Sequence, residues 1–180
     1  MVGLRPGHTV RTIKRAYTRK SKFKSKGYIK AVPHSKIVRF IFGDITRNFT
    51  HQLDYVSVDD VQVRHNALES ARQILTRHLE SQLGKEFILL IRGYPHHVVR
   101  EHKALTGAGA DRMSQGMAHA FGKPEGLAVQ AYKGKVLFSV HVNKDGIERA
   151  RNVLHKANSR LPGHWHINLK EGPKSVTGKV

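Results

Sequence analysis

The sequence predicts an α+β fold: a mixed or antiparallel sheet with two helices packed against it, extended by a basic N-terminal arm and a long flexible loop. Its β-rich segments alternate with two amphipathic helical segments, without a regular strand–helix–strand repeat or a repeat of solenoid length. At 180 residues the chain is long enough for one domain with extensions. We expect the arm at 1–30, the domain at 31–169 with its projecting loop at 103–123, and a disordered tail at 170–180.

The strands are predicted from runs of β-branched and aromatic residues that are bounded by turn residues. These runs cover 36–42, 52–58 with Val61 and Val63 as a continuation, 87–92, 96–102, 126–132, 135–142 and 165–169. Gly43 and Asp44 are predicted to end the first strand in a turn. Lys133 and Gly134 are predicted to form the turn of a hairpin between 126–132 and 135–142.

Two helices are predicted from apolar residues at three- and four-residue spacing. The first is expected to begin with Asn66 as N-cap and Glu69 as its capping-box partner, and to stop near Leu83 at Gly84. The second is expected to be capped by Asn143 or Asp145 and to end near Leu161-Pro162-Gly163. The predicted core faces contain Leu68, Ala71, Leu75, Leu79 and Leu83 in the first helix, and Ile147, Ala150, Leu154 and Ala157 in the second.

The charge of the chain indicates a polyanionic partner. Lys and Arg number 32 against 13 Asp and Glu, a formal net charge of +19. A membrane surface is disfavoured because neither a basic amphipathic helix with bulky apolar residues nor a lipidation signal is found. The absence of cysteine excludes disulfides and thiolate metal sites, and the basic N-terminus has no apolar signal region. We therefore expect a cytoplasmic protein whose partner is a nucleic acid.

The N-terminal segment carries the densest positive charge. Residues 1–39 contain twelve Lys or Arg, and the first carboxylate is that of Asp44. Too few apolar residues are present to offset the entropy of ordering, so we expect much of the arm to be extended or disordered in the free protein. A solubilising tail is the alternative, but the aromatic rings among the cations favour stacking on RNA. The expected RNA-binding residues of the arm are Arg5, Arg11, Lys14, Arg15, Tyr17, Arg19, Lys20, Lys22, Lys24 and Lys26.

The glycine-rich stretch after residue 103 is predicted to approach a large anionic surface through its backbone. It is not a dinucleotide-binding loop, because Arg112 stands where the third glycine is required. It is not a P-loop either, since Gly122-Lys123 is followed by Pro124 and not by a hydroxyl-bearing residue.

Metal binding and catalysis are disfavoured by the positions of the polar residues. His96 and His97 are adjacent and would point to opposite faces of a strand, while His164 and His166 would share a face but supply only two ligands. The candidate catalytic groups near the loop have no spacing tied to a known mechanism; they are Glu101, His96, His97, His102 and Asp111. We predict no catalytic residue, no metal site and no cofactor.

Several motifs resemble those of one ribosomal protein family. They are Arg100-Glu-His-Lys103, Gly107-Ala-Gly-Ala-Asp-Arg112, Gly116-Met117 and Ala120-Phe-Gly-Lys-Pro-Glu-Gly126, supported by Ala16-Tyr-Thr-Arg19, the run from Val61 to Arg72, Tyr94-Pro-His-His-Val98 and Arg160-Leu-Pro162. Spread over positions 4 to 162, they resemble the archaeal large-subunit ribosomal proteins of the ten-e family, the counterpart of bacterial large-subunit protein sixteen. The chain departs from the family pattern at Ala118, where an arginine is usual, and at His102, where an asparagine is usual.

The resemblance implies a hammerhead-like domain among helices of large-subunit ribosomal RNA, with neighbouring ribosomal proteins as further partners. It also implies a loop that points toward the peptidyl-transferase region and the acceptor ends of tRNA, supporting subunit assembly and tRNA positioning without catalysing a reaction. The implied RNA-facing residues of the body are Arg64, His65, Arg72, Arg92, His96, His97 and Arg100. The implied loop residues are Lys103, Gly107, Gly109, Asp111, Arg112, Met117, Phe121, Gly122 and Lys123. A free-standing RNA-binding regulator and an RNA-processing enzyme are the alternatives.

Overall fold

The computed structural model shows two antiparallel sheets and two α-helices in the part of the chain that it describes, which is 5–13, 23, 25, 27, 29, 31–101 and 122–174. The strands are β1 (Ile41–Gly43), β2 (Phe49–Ser57), β3 (Val61–Arg64), β4 (Ile88–Ile91), β5 (His97–Glu101), β6 (Lys123–Ala131), β7 (Val136–Val142) and β8 (Trp165–Lys174). The helices are α1 (His65–Leu83) and α2 (Ile147–Lys156), and short 3-10 turns occupy Gly7–Val10, Lys144–Gly146 and Ala157–Ser159.

The strands divide between a five-stranded sheet, in the order β1-β4-β7-β2-β8, and a three-stranded sheet, in the order β3-β6-β5. Every pairing between these strands is antiparallel. The predicted class, α+β with two helices packed on a mixed or antiparallel sheet, is therefore confirmed. The β structure forms two sheets, whereas the sequence analysis described a single one.

Beside a smaller cluster of Phe49, Ile88 and Leu90, the described part of the chain has one main core cluster, to which both sheets and both helices contribute. Helix α1 presents Leu68, Leu75 and Leu79 to it, all fully buried, as their spacing predicts. Tyr55 of β2 lies at the centre of the cluster, with its ring stacked on that of Trp165 at 5.1 Å. Burial raises the pKa of Tyr55, and its hydroxyl meets the Asn158 side chain, so the phenol stays protonated and hydrogen-bonded.

The ends of the helices differ from the prediction at their N-termini. Helix α1 begins at His65, directly after β3, and its N-cap Arg64 makes no side-chain capping hydrogen bond. Because the strand runs straight into the helix, Asn66 lies inside the first turn, and Glu69 binds Arg72 at 2.6 Å and not the backbone. The predicted stop at Gly84 is confirmed: its φ is +61° and its N–H donates to the carbonyl of Glu80.

Helix α2 was predicted with the wrong caps and too late an end. A 3-10 turn at Lys144–Gly146 precedes it, so the helix starts at Ile147 and neither Asn143 nor Asp145 caps it. It ends at Lys156, and a second 3-10 turn covers Ala157–Ser159 before the chain reaches Leu161. The tighter turns satisfy the terminal backbone groups that side chains were expected to satisfy.

Four predictions about the strands and the C-terminal tail are corrected. The predicted strand at 36–42 is observed only as Ile41–Gly43, and Val61 and Val63 lie in the other sheet and do not continue β2. The predicted hairpin is wrong because β6 and β7 belong to different sheets, although the turn itself exists, with Gly134 at φ +82°. Finally, β8 continues to Lys174, so the expected disorder from 170 onward is wrong for 170–174, which extend the pairing with β2.

One face of the five-stranded sheet buries a polar cluster around Asp54, whose side chain is 2% exposed. The carboxylate accepts hydrogen bonds from Ser139 at 2.7 Å and from Gln52, and it pairs with the Lys170 ammonium at 2.7 Å. Burial acts to raise the pKa of Asp54, but the hydrogen bonds from Lys170, Ser139 and Gln52 outweigh it and hold the pKa below its ordinary value. Asp54 is therefore ionised at neutral pH and organises the centre of this face.

We predict that Asp54→Asn lowers the free energy of unfolding by about 1–3 kcal/mol at neutral pH, because an amide replaces a carboxylate that accepts three hydrogen bonds. Since the folded-state pKa is depressed, this stabilisation is present above the ordinary value of 3.8 and is lost as the pH falls through the folded-state value. Urea unfolding followed by circular dichroism, repeated at decreasing pH, should show the gap between the two proteins closing in acid.

The matched control is Asp145→Asn, because Asp145 is an exposed aspartate in the 3-10 turn before α2. Its urea midpoint should stay within experimental error of the wild-type value at every pH. Equal stability of Asp54→Asn and the wild type at neutral pH would contradict the assignment of Asp54 as an ionised, stabilising group.

Candidate nucleic-acid interface

The described part of the N-terminal arm is docked on the three-stranded sheet. Strand β3 is the edge of that sheet, and its unpaired backbone binds the arm: the Gln62 N–H donates to the Arg11 carbonyl at 2.7 Å, and Thr12 forms an antiparallel bridge with Val61. The Gln62 side chain donates to the Val10 carbonyl at 2.9 Å. Residues 5–13 therefore belong to the folded body, which corrects the expectation of an extended or disordered arm for this part.

Docking of the arm creates a cavity of about 170 Å³, here named the arginine cavity. It is lined by Arg5, Thr9, Val10, Arg64, His65, Asn66, Val99, Arg100, Glu101, Glu125, Gly126 and Leu127. Three of the arginines assigned to RNA from the sequence thus meet at one place although they lie in different segments. Their proximity depends on the docked arm, which no local pattern predicts.

Each of the three arginines is held by a specific contact. The Arg5 Nε lies 2.9 Å from a Glu101 carboxylate oxygen, and the Arg64 guanidinium donates to the Arg5 carbonyl at 2.8 Å. The Arg100 Nε donates to the Gly122 carbonyl at 3.0 Å. These bonds fix the orientation of the guanidinium groups, whose planar geometry suits the recognition of phosphate oxygens.

His65 lies at the wall of this cavity but is itself buried, with 7% of its surface exposed. Its Nδ1 accepts the Lys36 backbone N–H at 3.3 Å. Burial, followed by the positive charges of Lys36 and Arg64, lowers the pKa of His65, so the ring is neutral at physiological pH. A Cβ at Gly126 would lie 3.1 Å from its Nε2, and the glycine therefore permits the close packing of β6 on this ring. In the folded chain His65 supports the cavity wall.

The remaining RNA-binding candidates of the body lie elsewhere. Arg72 is paired with Glu69 and stands 4.8 Å from the centre of the Phe42 ring, so its charge is largely used within the protein. Arg92 is exposed and donates to the Ser139 hydroxyl at 3.3 Å. His96 and His97 line a separate groove beside Tyr94 and Tyr132. The two tyrosines were not assigned to the site from the sequence, although the motif Tyr94-Pro-His-His marks one of them.

The strands that frame the predicted loop are described, while most of the loop lies outside the described residues. Strand β5 ends at Glu101 and β6 begins at Lys123, and these two residues are paired across the strands. Gly122 has a φ of +118° and is tied to Arg100 through its carbonyl, so both ends of the intervening segment are fixed side by side. Lys123, predicted as a loop residue, is the first residue of a strand.

The remaining residues predicted to contact RNA or tRNA lie outside the described part of the chain. They are Lys14, Arg15, Tyr17, Arg19, Lys20, Lys22, Lys24 and Lys26 of the arm, and Lys103, Gly107, Gly109, Asp111, Arg112, Met117 and Phe121 of the loop.

Within the described residues no group of three potential ligands could hold a metal ion. His164 is instead paired with Asp59: its Nδ1 lies 2.7 Å from the carboxylate, and its backbone N–H donates to the same oxygen at 2.9 Å. These hydrogen bonds lower the pKa of Asp59. No helix in the described part of the chain is both apolar and long enough to cross a bilayer.

The fold and the surface first define a class: a strongly basic α+β domain with the electrostatic footprint of a nucleic-acid-binding protein. Comparison with known proteins then identifies the family. The family model described as ribosomal protein L16p/L10e matches residues 13–168, and the chain belongs to this family. The family predicted from the motifs is confirmed, and with it the prediction of a structural, non-enzymatic ribosomal constituent.

Curated archaeal relatives are similar over most of their length. The protein named large ribosomal subunit protein uL16 from Staphylothermus marinus is 42% identical over 153 residues, covering 83% of this chain and 88% of the relative. Its namesake from Sulfolobus acidocaldarius is 40% identical, covering 92% of this chain and 93% of the relative. The one from Methanococcus maripaludis is 37% identical, covering 97% and 99%.

We predict that Gln62→Ala undocks residues 5–13 from β3, because it removes the side-chain hydrogen bond to the Val10 carbonyl. Loss of one such bond weakens docking by about 1 kcal/mol, roughly a fivefold rise in the undocked population. Limited trypsin digestion should therefore cleave after Arg11 several times faster than in the wild type, whereas the bond after Arg5 resists trypsin because Pro6 follows it.

Gln130→Ala is the matched control. Gln130 faces Gln62 directly across the β3–β6 pair, but its side chain contacts Tyr132 and not the arm. Unchanged cleavage after Arg11 in Gln62→Ala, or equal acceleration in both variants, would refute the role of Gln62 in holding the arm on β3.

Proposed function

We propose that this ribosomal protein binds large-subunit ribosomal RNA in the cytoplasmic ribosome and carries the segment 103–121 toward bound tRNA. The observation that supports it best is the convergence of Arg5, Arg64 and Arg100 beside the root of that segment. The relatives are named as large-subunit proteins, which favours the large subunit as the particle that contains this chain.

The body would hold RNA chiefly through phosphates. The formal charge of the whole chain, +19, opposes close approach of its own segments, and neutralisation by RNA removes that repulsion. Arginines fixed by hydrogen bonds to the backbone, such as Arg64 and Arg100, would bind a phosphate with a smaller loss of side-chain entropy than unconstrained arginines. Contacts of this kind set the position of the RNA and read little of its sequence.

The loop is proposed to act by position and not by chemistry. Its two ends are paired where Glu101 faces Lys123, at the edge strand of the three-stranded sheet. An anchor of this kind directs the segment away from the core, so that it reaches a partner that the body itself does not touch. The acceptor ends of tRNA are the partner proposed from the family resemblance, and neighbouring ribosomal proteins would contact the remaining surface.

We predict a steep salt dependence for binding of the full chain to a structured fragment of large-subunit ribosomal RNA. If about six to ten phosphates are neutralised, the affinity should fall by roughly three to five decades between 50 and 200 mM salt, by analogy with duplex DNA. Arg64→Gln and Arg100→Gln should each reduce the slope of log affinity against log salt by about one. Filter binding over a series of salt concentrations measures this slope.

Arg72→Gln is the matched control, because the Arg72 charge is already paired with Glu69 and stacked on Phe42. Its slope should equal that of the wild type. A wild-type affinity that is insensitive to salt would refute the electrostatic proposal, and equal effects of all three substitutions would refute the special role of the arginine cavity.

We predict that replacing residues 103–121 by a short glycine-serine turn leaves the body folded and able to bind RNA, because the described core residues and the described residues that line the arginine cavity belong to other segments. In cells that depend on the variant, mature large subunits or their translation activity should decrease, as measured by sucrose-gradient sedimentation and peptide synthesis. A second variant with a glycine-serine segment of the native length separates the effect of sequence from that of length.

Loss of secondary structure on this replacement, seen by circular dichroism, would show that the segment is part of the core. Normal subunits with normal translation in both variants would refute its proposed role near tRNA.

A further inference from the structure

The outer face of the three-stranded sheet carries a groove of about 360 Å³ at the opposite end of the β5–β6 pair from the loop root. We name it the tyrosine groove; it is lined by Tyr94, His96, His97, Ala128, Gln130, Tyr132 and Lys135. Its floor is formed where His97 of β5 pairs with Ala128 of β6. Tyr94 lies just before β5 and Tyr132 just after β6, so one tyrosine comes from each strand of the pair.

Both tyrosine rings are accessible, each with 52% of its surface exposed, and Tyr94 is also held in place by neighbouring rings. Tyr94 is fixed by the Phe40 ring, stacked at 5.3 Å and 23°, and by the His96 ring at 4.4 Å. Among the described residues no ring stacks on Tyr132, whose hydroxyl lies 3.5 Å from the Gln130 side-chain oxygen. Rings ordered in advance lose little entropy when a flat partner stacks on them.

The polar groups of the groove suit an anionic chain with exposed bases. None of the described residues that line it is acidic. The Lys135 ammonium is anchored on the Gln130 carbonyl at 2.9 Å, which places a cation beside the rings. The Gln130 amide has both a donor and an acceptor and can pair with the edge of a base.

These features favour single-stranded over double-stranded RNA. In an A-form duplex the bases are stacked on each other and the major groove is too narrow for side chains, whereas loops and bulges present unstacked bases to aromatic rings. An aromatic groove also accepts a proline-rich peptide, but the cation beside the rings and the net charge of +19 favour the polyanion.

We propose that the tyrosine groove captures unstacked bases of single-stranded or looped RNA, with Tyr94 and Tyr132 as the stacking surfaces and Gln130 at the base edge. This inference rests on the proposed function, since it assumes that the chain binds RNA. It adds a second kind of contact to that function: bases bound by rings at the tyrosine groove, in addition to phosphates bound by guanidinium groups at the arginine cavity.

The test compares two probes, a 12-nucleotide oligoadenylate and a 12-base-pair RNA duplex, binding to the full-length chain. Tyr94→Ala and Tyr132→Ala should each weaken oligoadenylate binding by about 5- to 150-fold, the range for loss of one base–ring stack. The slope of log affinity against log salt should not change, because no phosphate contact is removed. Duplex binding should change less than about twofold. Tyr94→Phe and Tyr132→Phe keep the rings and should retain the wild-type affinity for oligoadenylate.

The control is Val58→Ala, which trims an apolar side chain that is 38% exposed and lies outside the groove. It should bind both probes as the wild type does, and circular dichroism verifies the fold of every variant. Ultraviolet cross-linking of 4-thiouridine-labelled oligonucleotide, followed by mass spectrometry, should identify peptides that contain Tyr94 or Tyr132.

Unchanged oligoadenylate affinity in both alanine variants, or equal losses for oligoadenylate and duplex, would overturn the proposal for the groove while the proposed function stands. Cross-linking of the groove to a neighbouring ribosomal protein and not to RNA, in assembled subunits, would also overturn it and assign the groove to a protein partner. Failure of the wild-type chain to bind either probe would instead count against the proposed function itself.

Discussion

The described part of the chain crosses between the two sheets four times, and two of these crossings are hydrogen-bonded to each other. The chain passes from β2 to β3 through Val58–Asp60 and from β6 to β7 through the turn at Gly134. The Ser57 N–H donates to the Lys135 carbonyl at 3.0 Å, and the Gly134 N–H donates to the Ser57 carbonyl at 2.8 Å. Because β6 and β7 are the middle strands of their sheets, this junction sets the position of one sheet relative to the other. Asp60 strengthens it by accepting the Lys133 N–H at 2.7 Å.

The few carboxylates of this basic chain are placed where a fold needs them. Asp54 lies inside the five-stranded sheet, Asp59 holds the start of β8 through His164, and Glu101 holds the docked arm through Arg5. Each of these pairs joins segments that are distant in sequence. These three acidic residues therefore close the fold, whereas most of the 32 Lys and Arg have no carboxylate available to them, since only 13 acidic residues exist. The surplus is the charge that a polyanion can neutralise.

The sequence predicted the elements whose signals are local. Leu68, Leu75 and Leu79 specify α1 by their spacing, and Gly84 ends it because the backbone there has positive φ. The hairpin prediction failed because a turn signal at Gly134 does not reveal which sheet the next strand joins. The chain passes from β6 in one sheet to β7 in the other at a junction formed by long-range hydrogen bonds. The helix caps failed because a strand or a 3-10 turn runs directly into each helix.

In the candidate site, too, local motifs predict single residues, whereas only long-range contacts determine which of them lie together. Arg64 and Arg100 could be assigned to RNA from motifs, yet their meeting with Arg5 requires the arm to dock on the edge of β3, a contact between residues far apart in sequence. The tyrosine groove was missed because Tyr94 and Tyr132 belong to separate runs, and only the antiparallel pairing of β5 with β6 brings their ends together.

One pair of strands connects the two proposed contacts. The arginine cavity is lined by Val99, Arg100 and Glu101 of β5 and the tyrosine groove by His97 of the same strand, so Arg100 and His97 are three residues apart, about 10 Å at 3.3 Å per residue. A paired strand does not shorten or bend easily, and the spacing between phosphate-binding and base-binding groups is therefore fixed by the sheet. RNA that engages both contacts must present a phosphate and an unstacked base at that separation. A regular duplex has no unstacked base, so the fold would select RNA by shape even though none of its arginines needs to read a sequence.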